Sequence, residues 1–319
     1  MRAMDAGPLR AKLRYDGAWW RRCAELGAVH GPEWLRRAGP PVTAAIIYAI
    51  ASDRRAPVLR NQRQVRGRRS WLRQHWDAYQ VYTEFAHSMV EALEQWGPRP
   101  RPIDLTVRDP EIFDDALAEG RGLIAVAGHF GSWAIGARGL GRFGRPVNMV
   151  TAHDPNPSVH ASLHALRTRH GVKVIYSDRS PFGGLPILRA LRRDEIVGMH
   201  IEPWGPLKGS HEVEFCGRRA RFQLGPFAVA RVARAPVVPV FALRTGVRRY
   251  ELRVTGRFDP RTPAESVAAL TATVRAYERL VRERPAQWLM FDDVWDVGAE
   301  GEAAETEAAP ARTARLGSR

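Results

Sequence analysis

The stretch GLIAVAGHFGSWAIGARG, residues 122–139, decides how the rest of the chain is read. Gly122 to Ala127 has the length and composition of a buried strand. Gly128 and Gly131 bracket a single histidine, so the chain can turn sharply at His129. A histidine at a strand end reads in two ways, as a catalytic base at the mouth of an α/β sheet or as a ring packed in a core. The residues alone leave both open.

Outward from this strand, short apolar runs alternate with helical ones. PVNMVTA (146–152), VKVIYS (172–177), EIVGMHI (195–201), PVVPVFAL (236–243) and YELRVTG (250–256) are strand candidates. SVHASLHALRTRHG (158–171), GLPILRALRRD (184–194) and GPFAVARVARA (225–235) are helix candidates between them. The alternation predicts an α/β sheet flanked by helices over 99–297. Before it, residues 1–98 are mostly helical in pattern. Within SWLRQHWDAYQVYTEFAHSMVEALEQWG (70–97), Trp71, Leu72, Trp76, Tyr79, Val81, Tyr82, Phe85, Met89 and Leu93 fall along one broad face that Gly97-Pro98 ends. GPRPRPIDL (97–105) reads as a connector. The tail 298–319, rich in Ala, Glu and Gly, lacks the apolar residues to build a core and is expected to be disordered.

Charge is the unusual feature. Lys and Arg number 49 against 34 Asp and Glu, a formal +15, and the only lysines are Lys12, Lys173 and Lys208. Such a surface favours anionic partners: nucleic acid, anionic lipid headgroups or an acidic carrier protein. A GC-rich coding sequence would raise arginine equally well. No basic-aromatic module or zinc spacing points to specific nucleic acid, and the charge is spread along the chain. Cys23 and Cys216 form no framework, which fits a reducing compartment. The opening residues are charged where a secretory signal would be apolar. The longest apolar run, Gly39 to Ala51, is shorter than the roughly 18–20 residues that span a bilayer. It can lie in a membrane interface or pack as a core helix, and WWRR (19–22) and EWLRR (33–37) set tryptophan beside arginine, a pairing that suits headgroups. His153, His160, His164, His170, His200 and His211 lack a metal-binding pattern, and no metal is expected.

GHFGSW (128–133) resembles the first block of the lysophospholipid acyltransferase superfamily, in the branch of lipid A secondary acyltransferases and phosphatidylinositol mannoside acyltransferases. There it usually reads His-Phe-Gly-Asn-Trp followed by Asp or Glu. Three further blocks follow in the family's order: ILRALRRDEIVGMHIE (187–202), VEFCGRRARFQLGPFAVARVARAPVVPVFALR (213–244) and RPAQWLMFDDVW (284–295). RRAPVLRNQRQV (54–65) fits more loosely, and the likeness spans roughly 20–297.

The resemblance implies a mixed sheet flanked by helices. It also implies an O-acyltransferase that moves a fatty acyl group from acyl carrier protein or coenzyme A to a hydroxyl of a lipid or glycolipid. The thioester is then a donor substrate, and no separate cofactor is called for. The expected setting is peripheral, on the cytoplasmic face of the inner membrane among anionic lipids, or cytoplasmic. His129 matches the base that takes the hydroxyl proton directly. Gly131 and Trp133 match residues that shape an acyl pocket, with Trp133 equally readable as core. Gly217 and Arg218, with Gly225 and Pro226, match the third block, where glycines permit tight turns and an arginine meets a phosphate or pantetheine arm.

One position departs from the family. The acidic residue expected five places after His129 is Ala134. Loss of an orienting carboxylate costs a comparable hydrolase about four powers of ten in rate. Either another carboxylate replaces it, or the base works with reduced efficiency, or the chain is a catalytically impaired lipid- or carrier-binding homologue. Glu202, in GMHIEP (198–203), aligns with a family strand that ends in an acidic residue and is the leading replacement, although Pro203 then stands where an arginine is frequent. Asp154, in TAHDPNP (151–157), is a second candidate that reads more readily as a turn residue before proline.

Overall fold

The structure, a computed structural model, describes residues 18–96, 100–153, 171–177, 183–202 and 209–295. Four helices come first: α1 (Ala18–His30), α2 (Glu33–Ile50), α3 (Ser52–Arg66) and α4 (Trp71–Trp96). The rest alternates as β1 (Asp104–Arg108), α5 (Glu111–Ala118), β2 (Leu123–Ala127), α6 (Trp133–Leu140), β3 (Val147–Thr151), β4 (Val172–Tyr176), α7 (Gly184–Arg192) and β5 (Ile196–His200). It then continues with β6 (Ser210–Phe215), β7 (Arg218–Gln223), α8 (Gly225–Ala233), β8 (Val237–Gly246), β9 (Arg249–Val254) and α9 (Pro263–Glu283).

Seven strands form one mixed sheet in the order β1-β9-β8-β2-β5-β3-β4, and β6 and β7 form a separate antiparallel hairpin. From β8 to β4 every pairing is parallel, while β9 runs against β8 and carries β1 parallel to itself. The central strand β2 is buried on both faces, as its uninterrupted apolar sequence requires. Its side chains alternate between two cores: Ile124 and Val126 enter the one roofed by α7, α8 and α9, and Leu123 and Ala125 enter the one beneath α5 and α6. Helix α9 starts at a polar cap, where Thr262 accepts from the Glu265 amide at 3.2 Å and Pro263 opens the first turn.

The chain leaves β2 for β3, passes through β4, and returns to insert β5 between β2 and β3. The C-terminal ends of β2 and β5, where this reversal falls, are the place where open α/β sheets bind ligands.

Six strands and two helices follow the sequence pattern closely, and the helix of 158–171 lies outside the described residues. The connector reading of 97–105 is corrected at its end, since Asp104 and Leu105 begin β1 and pair with Arg249 and Tyr250. The single broad face of α4 is corrected too. Val81, Tyr82 and Leu93 are buried with Ala78, but Trp71, Leu72 and Trp76 at its first turns are 68%, 73% and 58% exposed. Helix α2 packs one face of Gly39–Ala51 into the protein and leaves another exposed. Pro40, Ala44 and Ala51 pack inward, and Val42, Ile46 and Ile50 form an exposed stripe at four-residue spacing. No helix among the described residues is long and apolar enough to cross a membrane.

Candidate active site

His129 leaves β2 just past its C-terminal end, in a loop pinned from several sides. Its carbonyl accepts from the Leu289 amide at 2.7 Å, the Gly131 amide donates to the Gln287 carbonyl at 2.8 Å, and the Ser132 amide donates to the Ala242 carbonyl at 3.2 Å. Gly131 has φ +59°, and a Cβ there would lie 1.8 Å from the Ala242 carbonyl oxygen, so only glycine lets the loop lie so close to β8. The closing block 284–295 thus works as a backbone brace for the histidine. Helix α3 braces it in turn: Asn61 Nδ2 donates to the Asp292 carbonyl at 2.8 Å and Gln62 Nε2 to the Pro285 carbonyl at 2.9 Å.

Glu202, two residues beyond β5, meets the histidine. The register pairs Ala127 with His200, so residues just past the two strand ends are neighbours. His129 Nδ1 lies 2.7 Å from Glu202 Oε2, and the His129 amide donates to the same oxygen. The other oxygen, Oε1, accepts from Tyr277 Oη at 2.6 Å and Trp288 Nε1 at 2.8 Å. The Glu202 side chain is 1% exposed and that of His129 23%.

Burial would raise the Glu202 carboxyl pKa, but hydrogen bonds from His129 and Tyr277 and the charge of His129 outweigh it and bring the group down to about 2. Burial would lower the His129 pKa, and the hydrogen bond and charge of Glu202, with the charge of Asp292, turn the net shift upward from 6.5. An ionised carboxylate can only accept, so Nδ1 carries the hydrogen and Nε2 keeps its lone pair. The pair is therefore able to receive a proton at Nε2 and to stabilise the imidazolium that results.

The other sequence candidates are dispersed. Gly131 lies in the histidine loop, and Trp133, half-buried, opens α6 beside it, one residue before half-buried Ala134. Gly217 (φ +79°) forms the turn of the β6–β7 hairpin, and Arg218 is exposed there. The far end of that hairpin, Gln223, is the part that reaches the site, donating its amide to the Ile201 carbonyl at 2.7 Å. Gly225 and Pro226 start α8. Asp154, Pro203, His160, His164 and His170 lie outside the described residues. His153 stacks on Tyr176 with ring centroids 4.1 Å apart, and His211 lies on β6.

Sequence reasoning passed over three residues. His200 was weighed only as a metal ligand, yet its ring lies edge-on to His129 with centroids 4.5 Å apart. Trp288 sits in the closing block, which sequence reasoning quoted without giving any of its residues a role. Tyr277 carried no local signal, being one apolar-facing position in a long amphipathic helix.

The family model for bacterial lipid A biosynthesis acyltransferases matches residues 11–296. No individual curated protein matches the chain.

Proposed function

The chain belongs to the bacterial lipid A biosynthesis acyltransferase family, acyltransferases that act on lipid, and on that premise we propose that it moves a fatty acyl group from a thioester donor to a hydroxyl of a lipid or glycolipid, with His129 as general base. The observation that carries this reading is the 2.7 Å contact of His129 Nδ1 with Glu202 at the C-terminal ends of adjacent parallel strands. Nε2 takes the proton of the acceptor hydroxyl as its oxygen attacks the thioester carbonyl. A C–O bond forms, the tetrahedral oxyanion collapses, the C–S bond breaks, and the imidazolium returns its proton to the departing thiolate. No covalent acyl-enzyme is required. The reading as an impaired binding homologue rested on Ala134, and the carboxylate of Glu202 supports the enzyme instead.

The donor in this reading is acyl carrier protein or coenzyme A, each of them anionic, as is the membrane surface, and the chain's +15 suits all three. Peripheral attachment at the cytoplasmic face is supported by the exposed stripe of α2 and by Trp71, Leu72 and Trp76 on α4.

The deciding experiment supplies purified protein with acyl carrier protein or coenzyme A thioesters and a membrane lipid extract, and identifies the product by mass spectrometry. An acylated lipid formed by the wild type and absent with His129→Ala supports the proposal. Tight donor binding without turnover on any donor would return the chain to the binding class. Flotation with anionic vesicles, weakening as salt rises, reads the membrane part.

A further inference from the structure

This inference rests on the reading of His129 and Glu202 as base and partner. Among the described residues Glu202 accepts four hydrogen bonds, divided evenly by oxygen and unevenly by source. Oε2 is taken twice by His129, while Oε1 is taken by Tyr277 on α9 and Trp288 in the closing block, 75 and 86 residues away along the chain. We propose that Tyr277 and Trp288 are positioning residues: they hold Oε1 so that Oε2 alone is offered to His129, and they do so as neutral donors, leaving the developing imidazolium as the only cation on this carboxylate among the described residues.

A buried carboxylate must be satisfied by donors, and an arginine would do so at least as well. An arginine, however, would bring a second positive charge beside the imidazolium and lower the basicity of the histidine. A phenol and an indole satisfy the oxygen without that effect. Burial and the charge of Glu202 push Tyr277 well above the ordinary tyrosine value, so it remains a donor. Its ring is clamped between Phe241 (centroids 5.0 Å, 8° apart) and Phe215 (5.9 Å, 21°). The residue before the histidine makes room for it: a Cβ on Gly128 would lie 2.5 Å from the Tyr277 hydroxyl oxygen. Trp288 is 1% exposed and its backbone bridges Phe130.

Among the described residues, the other titratable groups around the pair are His200 on β5, edge-on to His129, Asp292 of the closing block, whose charge reaches His129, and Cys216 at the hairpin turn, which influences Tyr277. All three persist in the variants below. Deleting an Oε1 donor leaves less of the carboxylate's charge stabilised by neutral groups, so Glu202 binds the proton on His129 more strongly. Deleting the carboxylate charge does the opposite. A residue that merely packed would move neither.

The test follows the His129 imidazole by NMR titration in the full chain, alongside the pH dependence of kcat/KM, for wild type, Tyr277→Phe, Trp288→Phe, Glu202→Gln and the Tyr277→Phe/Glu202→Gln double variant. Tyr277→Phe keeps the ring and its stacking. We expect it to raise the imidazole titration and the acid limb together by about one pH unit, Trp288→Phe to shift both the same way, and Glu202→Gln to lower the titration. The double variant is expected to titrate like Glu202→Gln alone. Unchanged titration in Tyr277→Phe overturns the proposal, as does a Tyr277→Phe shift that survives in the Glu202→Gln background. If Trp288→Phe does not fold, Tyr277→Phe decides alone. Wild-type rate and titration in Glu202→Gln would instead sink the base-and-partner reading itself, whereas a disabled Glu202→Gln beside a silent Tyr277→Phe sinks only the positioning role.

Discussion

Gln287 and Trp288 are neighbours in the chain whose side chains lead to two different buried carboxylates, one through Arg244 and one directly. Gln287 grips the backbone of Arg244, accepting from its amide at 2.9 Å and donating to its carbonyl at 2.6 Å. The Arg244 guanidinium meets Glu91 Oε1 at 2.9 Å, and Tyr250 Oη donates to Glu91 Oε2 at 2.7 Å. Trp288 reaches Glu202, which has a tyrosine of its own in Tyr277. Both carboxylates accept from a tyrosine, and they differ in the basic partner, which is arginine for Glu91 and histidine for Glu202. Burial alone would lower the Arg244 pKa, yet the hydrogen bond and charges of Glu91 and Glu84 raise it, so that charge is permanent. The hydrogen bond and charge of Glu202 turn the His129 pKa upward, but an imidazole, unlike a guanidinium, can still give up its proton, and its side chain is 23% exposed against 10% for Arg244. A buried carboxylate with a tyrosine donor therefore makes a fixed joint when paired with arginine, and in the proposed function a reactive pair when paired with a partly exposed imidazole.

The contrast breaks most severely at His129. His129→Ala is expected to lower acyl transfer by about 10⁴-fold while the melting temperature stays near that of the wild type, checked by initial rates and thermal denaturation. Full activity in that variant would remove the base from the mechanism.

Glu202→Gln should lose roughly 10³-fold in kcat, approaching the cost of losing an orienting carboxylate elsewhere, and should also move the pH profile. The base acts when neutral, so kcat/KM falls as pH drops through the His129 pKa. Glu202 raises that pKa above 6.5, so the wild-type acid limb lies above 6.5 and moves down when the carboxylate charge is removed. A limb that stays in place in Glu202→Gln would uncouple the two residues.

On the other side of the comparison, Arg244→Met leaves Glu91 buried without its cation and should cost about 3–5 kcal/mol of stability, measured by denaturant unfolding. Because Arg244 touches Gln287 through its backbone, the acid limb of the surviving activity should stay where it is. A shifted limb would show that the two networks are one.

The smallest effect is expected at Ala134. With Glu202 already on Nδ1, Ala134→Glu should change the rate by less than about twofold, a few tenths of a kcal/mol in barrier. A large gain there would mean that Glu202 orients the base poorly.

Much of this was legible in the sequence because it was local. The uninterrupted apolar run of β2, the glycines around His129 and the helical pattern of α7 and α8 report on neighbours within a turn or a strand, where side-chain period and backbone freedom decide. Glu202 was legible as well, since a strand ending in an acid aligned with the family block. Where the local signal was thin, the reading faltered. The short strand β1 hides behind prolines, and the aromatic residues of α4 look alike in sequence although Tyr82 packs against Phe291 while Trp71 and Trp76 stay exposed.

What the sequence determined by itself is the chemistry on offer: a strand-end imidazole, an acid just past a second strand at Glu202, and a sheet with helices to carry them. Only the tertiary structure decided which oxygen of Glu202 faces the imidazole, which donors hold the other, and that Gly128 is small to admit Tyr277. Those contacts join residues 73 to 86 positions apart. Hydrogen bonds act over about 3 Å in space, whatever the distance along the chain, and no periodicity in the intervening segments records which donor will meet which oxygen once the sheet has closed around them.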